Sequence, residues 1–246
     1  MFNFDIKYED LIWGDKFKNL SNIKFLKVDD AFDYIKHNIC KVNVVTHNGD
    51  YPIDEKYQKY IHHFPKWYGQ NIITKFSNFK PIPIGLENDY VDNSVYKKQM
   101  ICSIDKEISP KKLLYINHNI CTNPNERRIP YNIFANSSWC TVDEHGSIKY
   151  QKEFYNNILS HYCTLSPPGN GIDCHRTWEI LYLKRIPVLK RVGRLEELYD
   201  SLPVIFIDDY SEINESFLIK CIDEIKNRHY NFEKLKFNYW ERFVVT

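Results

Sequence analysis

Short apolar runs alternate with amphipathic stretches along most of this chain. Residues 23–28, 41–46 and 112–117 have the length and apolar character of buried strands, and apolar residues three and four positions apart, which is the helical spacing, recur between such runs. Further strands are predicted at 72–73, 139–142, 162–165, 187–189 and 204–207, and helices at 29–35, 54–63, 151–160, 174–184, 195–200, 213–225 and near the end of the chain. Because strands that alternate with helices build parallel sheets from βαβ units, the pattern predicts an α/β protein.

A polar stretch divides this pattern into two series. Residues 88–110 show little periodicity and end at Pro110, so they are predicted to form a linker. We therefore expect two Rossmann-like domains, residues 1–108 and residues 109–246, that face each other across a cleft.

Charge and cysteine content narrow the functional classes. The chain has 33 lysines and arginines against 32 aspartates and glutamates, for a formal net charge of +1, so the basic surface of a nucleic-acid-binding domain is not expected. Seven scattered cysteines without a C-x-x-C pair favour a reducing compartment. Neither a signal peptide nor an apolar run of about 18 residues is present, so we expect a soluble cytoplasmic protein without a transmembrane segment.

A glycine-rich turn follows the predicted strand at 162–165 and leads into a helix. Asp173 is suited to cap that helix, because its side-chain oxygen can accept a hydrogen bond from the first turn. Backbone N–H groups of such a turn and helix start point into one concavity at the positive end of the helix, where an anion is favoured. The residues predicted to form this anion site are Ser166, Gly169, Asn170, Gly171 and Asp173.

The helix that follows carries two charged residues on one face. Arg176 and Glu179 are three positions apart, so both lie near the helix start. A guanidinium there can bind a diphosphate through two parallel hydrogen bonds, and a carboxylate one helical turn later can accept hydrogen bonds from ribose hydroxyls. The alternative is a plain β–turn–α connection in which the two side chains pair with each other, since the loop matches neither the dinucleotide fingerprint nor the Walker A pattern.

These residues also resemble a known family. GNGIDCHRTWEILYLKRIPVL, residues 169–189, resembles the C-terminal signature of exostosin-like (family 47-type) glycosyltransferases, in which a glycine-rich loop precedes an R-x-x-E helix and an IPV strand. LPVIFIDDYSEI, residues 202–213, is similar to the segment that follows in that family. THNGDYPI, WYGQN, PIPIGLEN and NPNERR, farther upstream, resemble motifs of small standalone members, so the resemblance spans roughly residues 42 to 215.

The resemblance implies the GT-B fold, with the last helix packing back on the first domain. It implies transfer of a hexosyl or pentosyl group, with inversion, from a UDP- or GDP-linked sugar to a hydroxyl of a glycan or glycoconjugate. The animal and plant exostosins are Golgi membrane enzymes, which differs from the expectation for this chain. No D-x-D motif occurs in the sequence, so we expect no metal and no cofactor beyond the nucleotide-sugar donor.

Further donor contacts are predicted in the second half. Arg127 follows the strand at 112–117 and is expected to approach the diphosphate, although it also suits a charged helix start. Asn117 can form hydrogen bonds with hydroxyls of the nucleotide-sugar donor, although asparagine at the end of a strand often serves only to form a turn. His175, in the first helical turn, is expected to contact the donor or to cap the loop. A zinc site that includes Cys174 and His175 lacks the paired ligand spacing of structural zinc.

An inverting transferase also needs a base for the acceptor hydroxyl. Asp50 and His47 follow the strand at 41–46 and are the predicted catalytic residues, although Asn-Gly-Asp is also an ordinary turn. Glu87 is a second acidic candidate. Two other functions stay open, namely a non-catalytic nucleotide- or sugar-binding module with a GT-B fold, and a Rossmann-type oxidoreductase. Against the oxidoreductase, no predicted strand is followed by G-x-G-x-x-G. The sequence does not specify an oligomeric state.

Overall fold

The computed structural model describes residues 2–89, 95–104, 106, 108–143 and 151–246. Within these ranges the chain forms two parallel β-sheets, one of four strands and one of five, with helices packed against them. The predicted α/β class is confirmed, and the two sheets are compatible with a pair of Rossmann-like units.

The first sheet has its strands in chain order: β1 (Ile23–Lys27), β2 (Asn43–His47), β3 (Trp67–Gly69) and β4 (Phe79–Pro81). The connecting elements are α1 (Gly14–Lys18) before β1, α2 (Val28–His37) between β1 and β2, and a 3-10 helix (Glu55–His63) before β3. Ala31 and Ile35 of α2 pack on one face of the sheet with Trp67 and Phe79. β4 is an edge strand, where its terminal proline is tolerated.

One strand of this sheet differs from the prediction. The strand expected at residues 72–73 is wrong, because Ile72 forms an isolated bridge with Ile53 and the strand lies at Trp67–Gly69 instead. All three residues of β3 are buried, so the segment lacks the alternation that marks a half-buried strand.

The predicted linker is also wrong. Val95–Ile104 forms a helix, α3, whose Met100 and Ile104 are buried in the largest core cluster. The helical pattern is weak because Lys97 occupies a buried position on α3, with its ammonium 2.6 Å from Asp89 and 4.7 Å from the centre of the Trp13 ring. Residues 90–94, 105 and 107 of the predicted linker lie outside the described residues.

The second sheet has the strand order β6-β5-β7-β8-β9. Its strands are β5 (Lys112–Ile116), β6 (Cys140–Val142), β7 (His161–Leu165), β8 (Ile186–Lys190) and β9 (Ile205–Ile207). Its helices are α4 (Pro124–Phe134), α5 (Gln151–Leu159), α6 (His175–Tyr182), α7 (Leu195–Leu198) and α8 (Glu215–Lys226), with 3-10 turns at Ile120–Thr122 and Tyr210–Glu212. The order reverses between β5 and β7, and ligands of open α/β sheets bind at such a switch point, beyond the carboxyl ends of the strands.

A continuous apolar core joins the two sheets. Val45 and Tyr68 of the first sheet belong to the same buried cluster as Tyr115 of β5 and Trp178 and Tyr182 of α6. The halves are therefore packed together at their centre.

The last helix, α9 (Phe237–Val245), follows a 3-10 turn (Phe232–Leu235) and returns to the first sheet, as expected. The Asn43 side-chain amide donates to the Val244 carbonyl over 2.9 Å, and the rings of Phe243 and Tyr68 lie 5.2 Å apart. None of the described helices is both long and apolar enough to cross a lipid bilayer.

Candidate functional site

Polar side chains cluster at the switch point of the second sheet, where open parallel sheets form a crevice beyond the carboxyl ends of their strands. Asn117 and His118 follow β5, Ser166 follows β7, and α6 begins nearby at His175. Ser166 is buried, and its hydroxyl lies 2.8 Å from that of Thr177 on α6. The parallel arrangement thus brings the predicted residues Asn117, Ser166 and Arg176 to one edge of the sheet.

Several buried polar atoms in this region have no hydrogen-bond partner among the described residues. They are Nε and Nη1 of Arg176, Oδ1 of Asn117, Nδ1 of His118 and Oγ1 of Thr164. Buried polar atoms are normally paired, so a cluster of unpaired ones calls for a ligand or ordered water. The crevice therefore offers donors and acceptors side by side.

Arg176 is the cationic residue of this cluster. Its guanidinium lies 5.1 Å from the centre of the Phe154 ring. Burial lowers the pKa of Arg176, and the nearby carboxylate of Glu179 opposes that shift. The predicted pair thus shares one face of α6, and Nε and Nη1 of the guanidinium are buried without a hydrogen-bond partner among the described residues.

His118 was not identified from the sequence. Its Nε2 lies 2.8 Å from the Arg127 carbonyl, which can only accept, so Nε2 carries the proton and Nδ1 has a lone pair. Burial lowers the pKa of His118 to about 3, and the positive charges of Arg176 and Arg127 add to this shift. His118 is therefore a neutral acceptor next to Arg176. Its position directly after Asn117, at the end of a predicted strand, is the feature of the sequence that could have identified it as a site residue.

Arg127 holds the glycine-rich loop. Its Nε donates to the Pro168 carbonyl over 3.0 Å and its Nη1 to the Asn119 carbonyl over 3.1 Å. Asn123 adds a bond from its amide to the Gly169 carbonyl, over 3.1 Å. Arg127 was expected to contact the diphosphate, but its guanidinium donates hydrogen bonds to backbone carbonyls instead.

The loop is also held from the first half of the chain. Oδ1 of Asn71 accepts from the backbone N–H groups of Ile172, over 3.0 Å, and Asp173, over 3.1 Å. A Cβ on Gly171 would lie 2.8 Å from that oxygen, so glycine is needed for the approach. The N–H of Gly169 donates to the Gly171 carbonyl, over 3.0 Å. The expected anion nest is therefore wrong at the amides of Gly169 and Asp173, which are bonded within the protein.

Asp173 has a different role from the predicted one. Its buried carboxylate accepts from the N–H groups of Ile84 and Cys174, from the Trp178 indole and from the Tyr199 hydroxyl. Cys174, and not Asp173, is the N-cap residue of α6. Burial raises the pKa of Asp173, while the bonds from Ile84, Tyr199 and Trp178 oppose the rise. Asp173 therefore ties the start of α6 to the first half of the chain.

The two predicted catalytic residues are placed differently. Asp50 is exposed, and its Oδ2 accepts from the Asn170 side-chain amide over 3.2 Å, which brings the predicted base against the predicted donor loop. His47 is 2% exposed, donates from Nε2 to the Pro83 carbonyl and accepts at Nδ1 from the Asn48 N–H. Burial lowers the pKa of His47 to about 4. His47 is therefore a structural residue in this fold and has no free nitrogen for a substrate.

His175 lies at the rim between the halves. Its Nδ1 is 2.7 Å from the Gly85 carbonyl, and its Nε2 is 3.3 Å from Oε2 of Glu87. The side chains of His175 and Glu87 are 33% and 35% exposed, so both are accessible. His175 and Glu87 were separate candidates from the sequence, and nothing in the sequence indicated that their side chains are in contact.

No group of three or more histidine, cysteine, aspartate or glutamate side chains suited to a metal ion occurs in the described part of the chain. Comparison with known proteins adds no family assignment, since no family model matches this chain and no curated protein matches it either. The resemblance to exostosin-like glycosyltransferases therefore rests on the short sequence motifs alone.

Proposed function

We propose that this protein is a glycosyltransferase that moves a sugar from a nucleotide-diphosphate sugar to a hydroxyl of a glycan or glycoconjugate. The observation that carries the proposal is the guanidinium of Arg176, which has two buried donor atoms without a partner among the described residues, at the switch point of a parallel sheet. Buried guanidinium donors without a hydrogen-bond partner are costly, and the oxygens of a diphosphate suit a guanidinium fork.

The same crevice suits the rest of such a donor. Oδ1 of Asn117 and Nδ1 of His118 are acceptors in need of a proton donor, and the hydroxyls of a sugar or ribose provide one. A bare phosphate would satisfy Arg176 but leave both acceptors unpaired. Glu179, one turn along α6, accepts from ribose hydroxyls in this proposal.

Leaving-group stabilisation then comes from fixed positive charge. The diphosphate gains negative charge as the sugar departs, and Arg176 together with the amino end of α6 faces that charge. In this proposal the donor is UDP- or GDP-linked, the transfer is independent of metal, and the configuration is inverted. The first half supplies the acceptor surface, with Asp50 as its exposed carboxylate beside the loop.

A second candidate function is a non-catalytic nucleotide- or sugar-binding module. The observation that favours it is the burial of His47, which removes one of the two predicted bases. Binding without turnover distinguishes the two.

Release of free UDP or GDP from a panel of UDP- and GDP-linked hexoses and pentoses tests the transferase proposal, with glycans and simple sugars as acceptors. We expect Arg176→Ala to lower turnover at least tenfold and to abolish the rise in Tm that UDP or GDP gives the native protein, because the diphosphate loses its charged partner. Arg228→Ala, an exposed arginine just after α8, is the control and should match the native protein. Nucleotide binding without release from any donor supports the binding module, and no binding at all contradicts both functions.

A further inference from the structure

Glu87 and His175 bring the two halves of the chain into contact at an accessible rim. Glu87 follows the stretch after β4, on the carboxyl-end side of the first sheet, and His175 is the first residue of α6, directly before Arg176. Ligands of parallel sheets bind on the carboxyl-end side, so this contact lies on the side where the proposed donor crevice opens. His175 is thus adjacent in sequence to Arg176, the residue on which the donor site depends.

The geometry of this pair fixes the tautomer of His175. The Gly85 carbonyl can only accept, so Nδ1 of His175 carries a hydrogen. Nε2 therefore faces Oε2 of Glu87 at 3.3 Å, and the two side chains form an ion pair when the imidazole is protonated. A carboxylate that an imidazole holds in a fixed place is suited to acid–base chemistry.

The surroundings hold the pair in place and leave it accessible. The N–H of Asn88 donates to Oε1 of Glu87 over 3.1 Å, and the N–H of Leu86 donates to the Ile12 carbonyl over 2.7 Å, so the backbone that carries Glu87 is anchored. Besides Glu87, the titratable groups whose charges interact with His175 include His47 and Asp173, both buried. About a third of each side chain of the pair stays exposed to an incoming acceptor.

We infer that Glu87 is the base that accepts the proton of the acceptor hydroxyl, an inference that rests on the proposed transferase function. The acceptor oxygen forms a bond to the anomeric carbon, and its proton passes to the Glu87 carboxylate. The bond between the anomeric carbon and the diphosphate oxygen breaks, and the electron pair leaves with the nucleoside diphosphate. Protonated His175 orients Glu87 and, with Arg176, faces the charge that the diphosphate gains. Asp50 instead holds the loop through Asn170.

Glu87→Gln tests this assignment, since it keeps the size of the side chain and removes the base. With the donor that the native protein uses, we expect turnover to fall about 100-fold or more, the usual contribution of a general base, while the Kd of UDP or GDP changes less than twofold. The rise of turnover with pH should disappear in this variant. His175→Asn keeps a donor for the Gly85 carbonyl and removes Nε2, and we expect it to lower kcat about tenfold without weakening nucleotide binding. Asp5→Asn, an exposed carboxylate, is the matched control.

The outcomes separate the two proposals. Native turnover that Glu87→Gln leaves within threefold, or a 100-fold loss in Asp50→Asn instead, overturns the assignment of Glu87 and keeps the transferase function. A native protein that binds UDP or GDP but releases none from any donor in the panel contradicts the transferase function, and the role of Glu87 with it. Unchanged nucleotide binding in Glu87→Gln shows that a loss of turnover does not come from misfolding.

Discussion

Asp173→Asn should lower the free energy of unfolding by about 3 kcal/mol, because this change breaks a buried hydrogen-bond network without making a cavity. Four donors converge on the carboxylate of Asp173, from Ile84, Cys174, Trp178 and Tyr199. An asparagine offers one oxygen, and its NH₂ group would face other donors. The start of α6 would lose its tie to the first half, so we expect nucleotide binding to weaken as well.

Urea denaturation at neutral pH measures this effect. Asp5→Asn is the matched control, because Asp5 is exposed near the start of the chain and its replacement should cost no more than about 0.5 kcal/mol. Tyr199→Phe removes one of the four donors and should have an intermediate cost of about 1–2 kcal/mol. An Asp173→Asn variant as stable as the control would show that the network contributes little to folding.

Acidification should destabilise the protein through two buried histidines. Burial lowers the pKa of His47 to about 4 and that of His118 to about 3, from an ordinary value of 6.5. The unfolded chain therefore binds more protons than the folded one below pH 6.5, and stability falls as the pH drops from 6.5 towards those values. At pH 5 each histidine should remove about 2 kcal/mol relative to neutral pH. The raised pKa of Asp173 acts in the opposite sense, so the effect of each histidine is best isolated by substitution.

His47→Gln isolates one of these contributions. Glutamine can still donate to the Pro83 carbonyl but does not titrate, so the loss of stability between pH 7 and pH 5 should shrink by about 2 kcal/mol in this variant. His62→Gln, an exposed histidine, should leave the pH dependence as in the native protein. Urea denaturation at pH 7, 6 and 5 measures the free energy of unfolding of the native protein and of both variants. The slope of that free energy against pH is then compared among the three proteins. Equal slopes in all three proteins would mean that His47 is protonated in the folded state.

Local pattern was sufficient for most strands and helices. The apolar runs at 112–117 and 162–165 became β5 and β7, and the spacing of apolar residues placed α8 within about two residues of its bounds. α3 was missed because a lysine occupies one of its buried positions, compensated by Trp13 and Asp89 from other parts of the chain. β3 was missed because it is short and buried on both faces.

Some residues of the candidate site were predictable from the sequence, but their contacts were not. Arg176 and Glu179 were found from helical spacing, and the structure leaves two nitrogens of the Arg176 guanidinium available. The roles of Arg127 and Asp173 were misassigned because their partners lie far away in the sequence. Arg127 bonds carbonyls about 40 residues later, and Asp173 bonds Ile84, which is 89 positions earlier. Such contacts depend on the packing of the two sheets, for which no local pattern exists.

The core shared by the two sheets bears on how the protein unfolds. Trp178 and Tyr182 of α6 are buried in one cluster with Val45 and Tyr68 of the first sheet, so separating the halves would expose large aromatic surfaces to water. Folding of each half is therefore coupled to folding of the other, and heating should give one cooperative transition in calorimetry, without a plateau. A fragment cut between the sheets should aggregate, whereas two fragments expressed together can regain a native core.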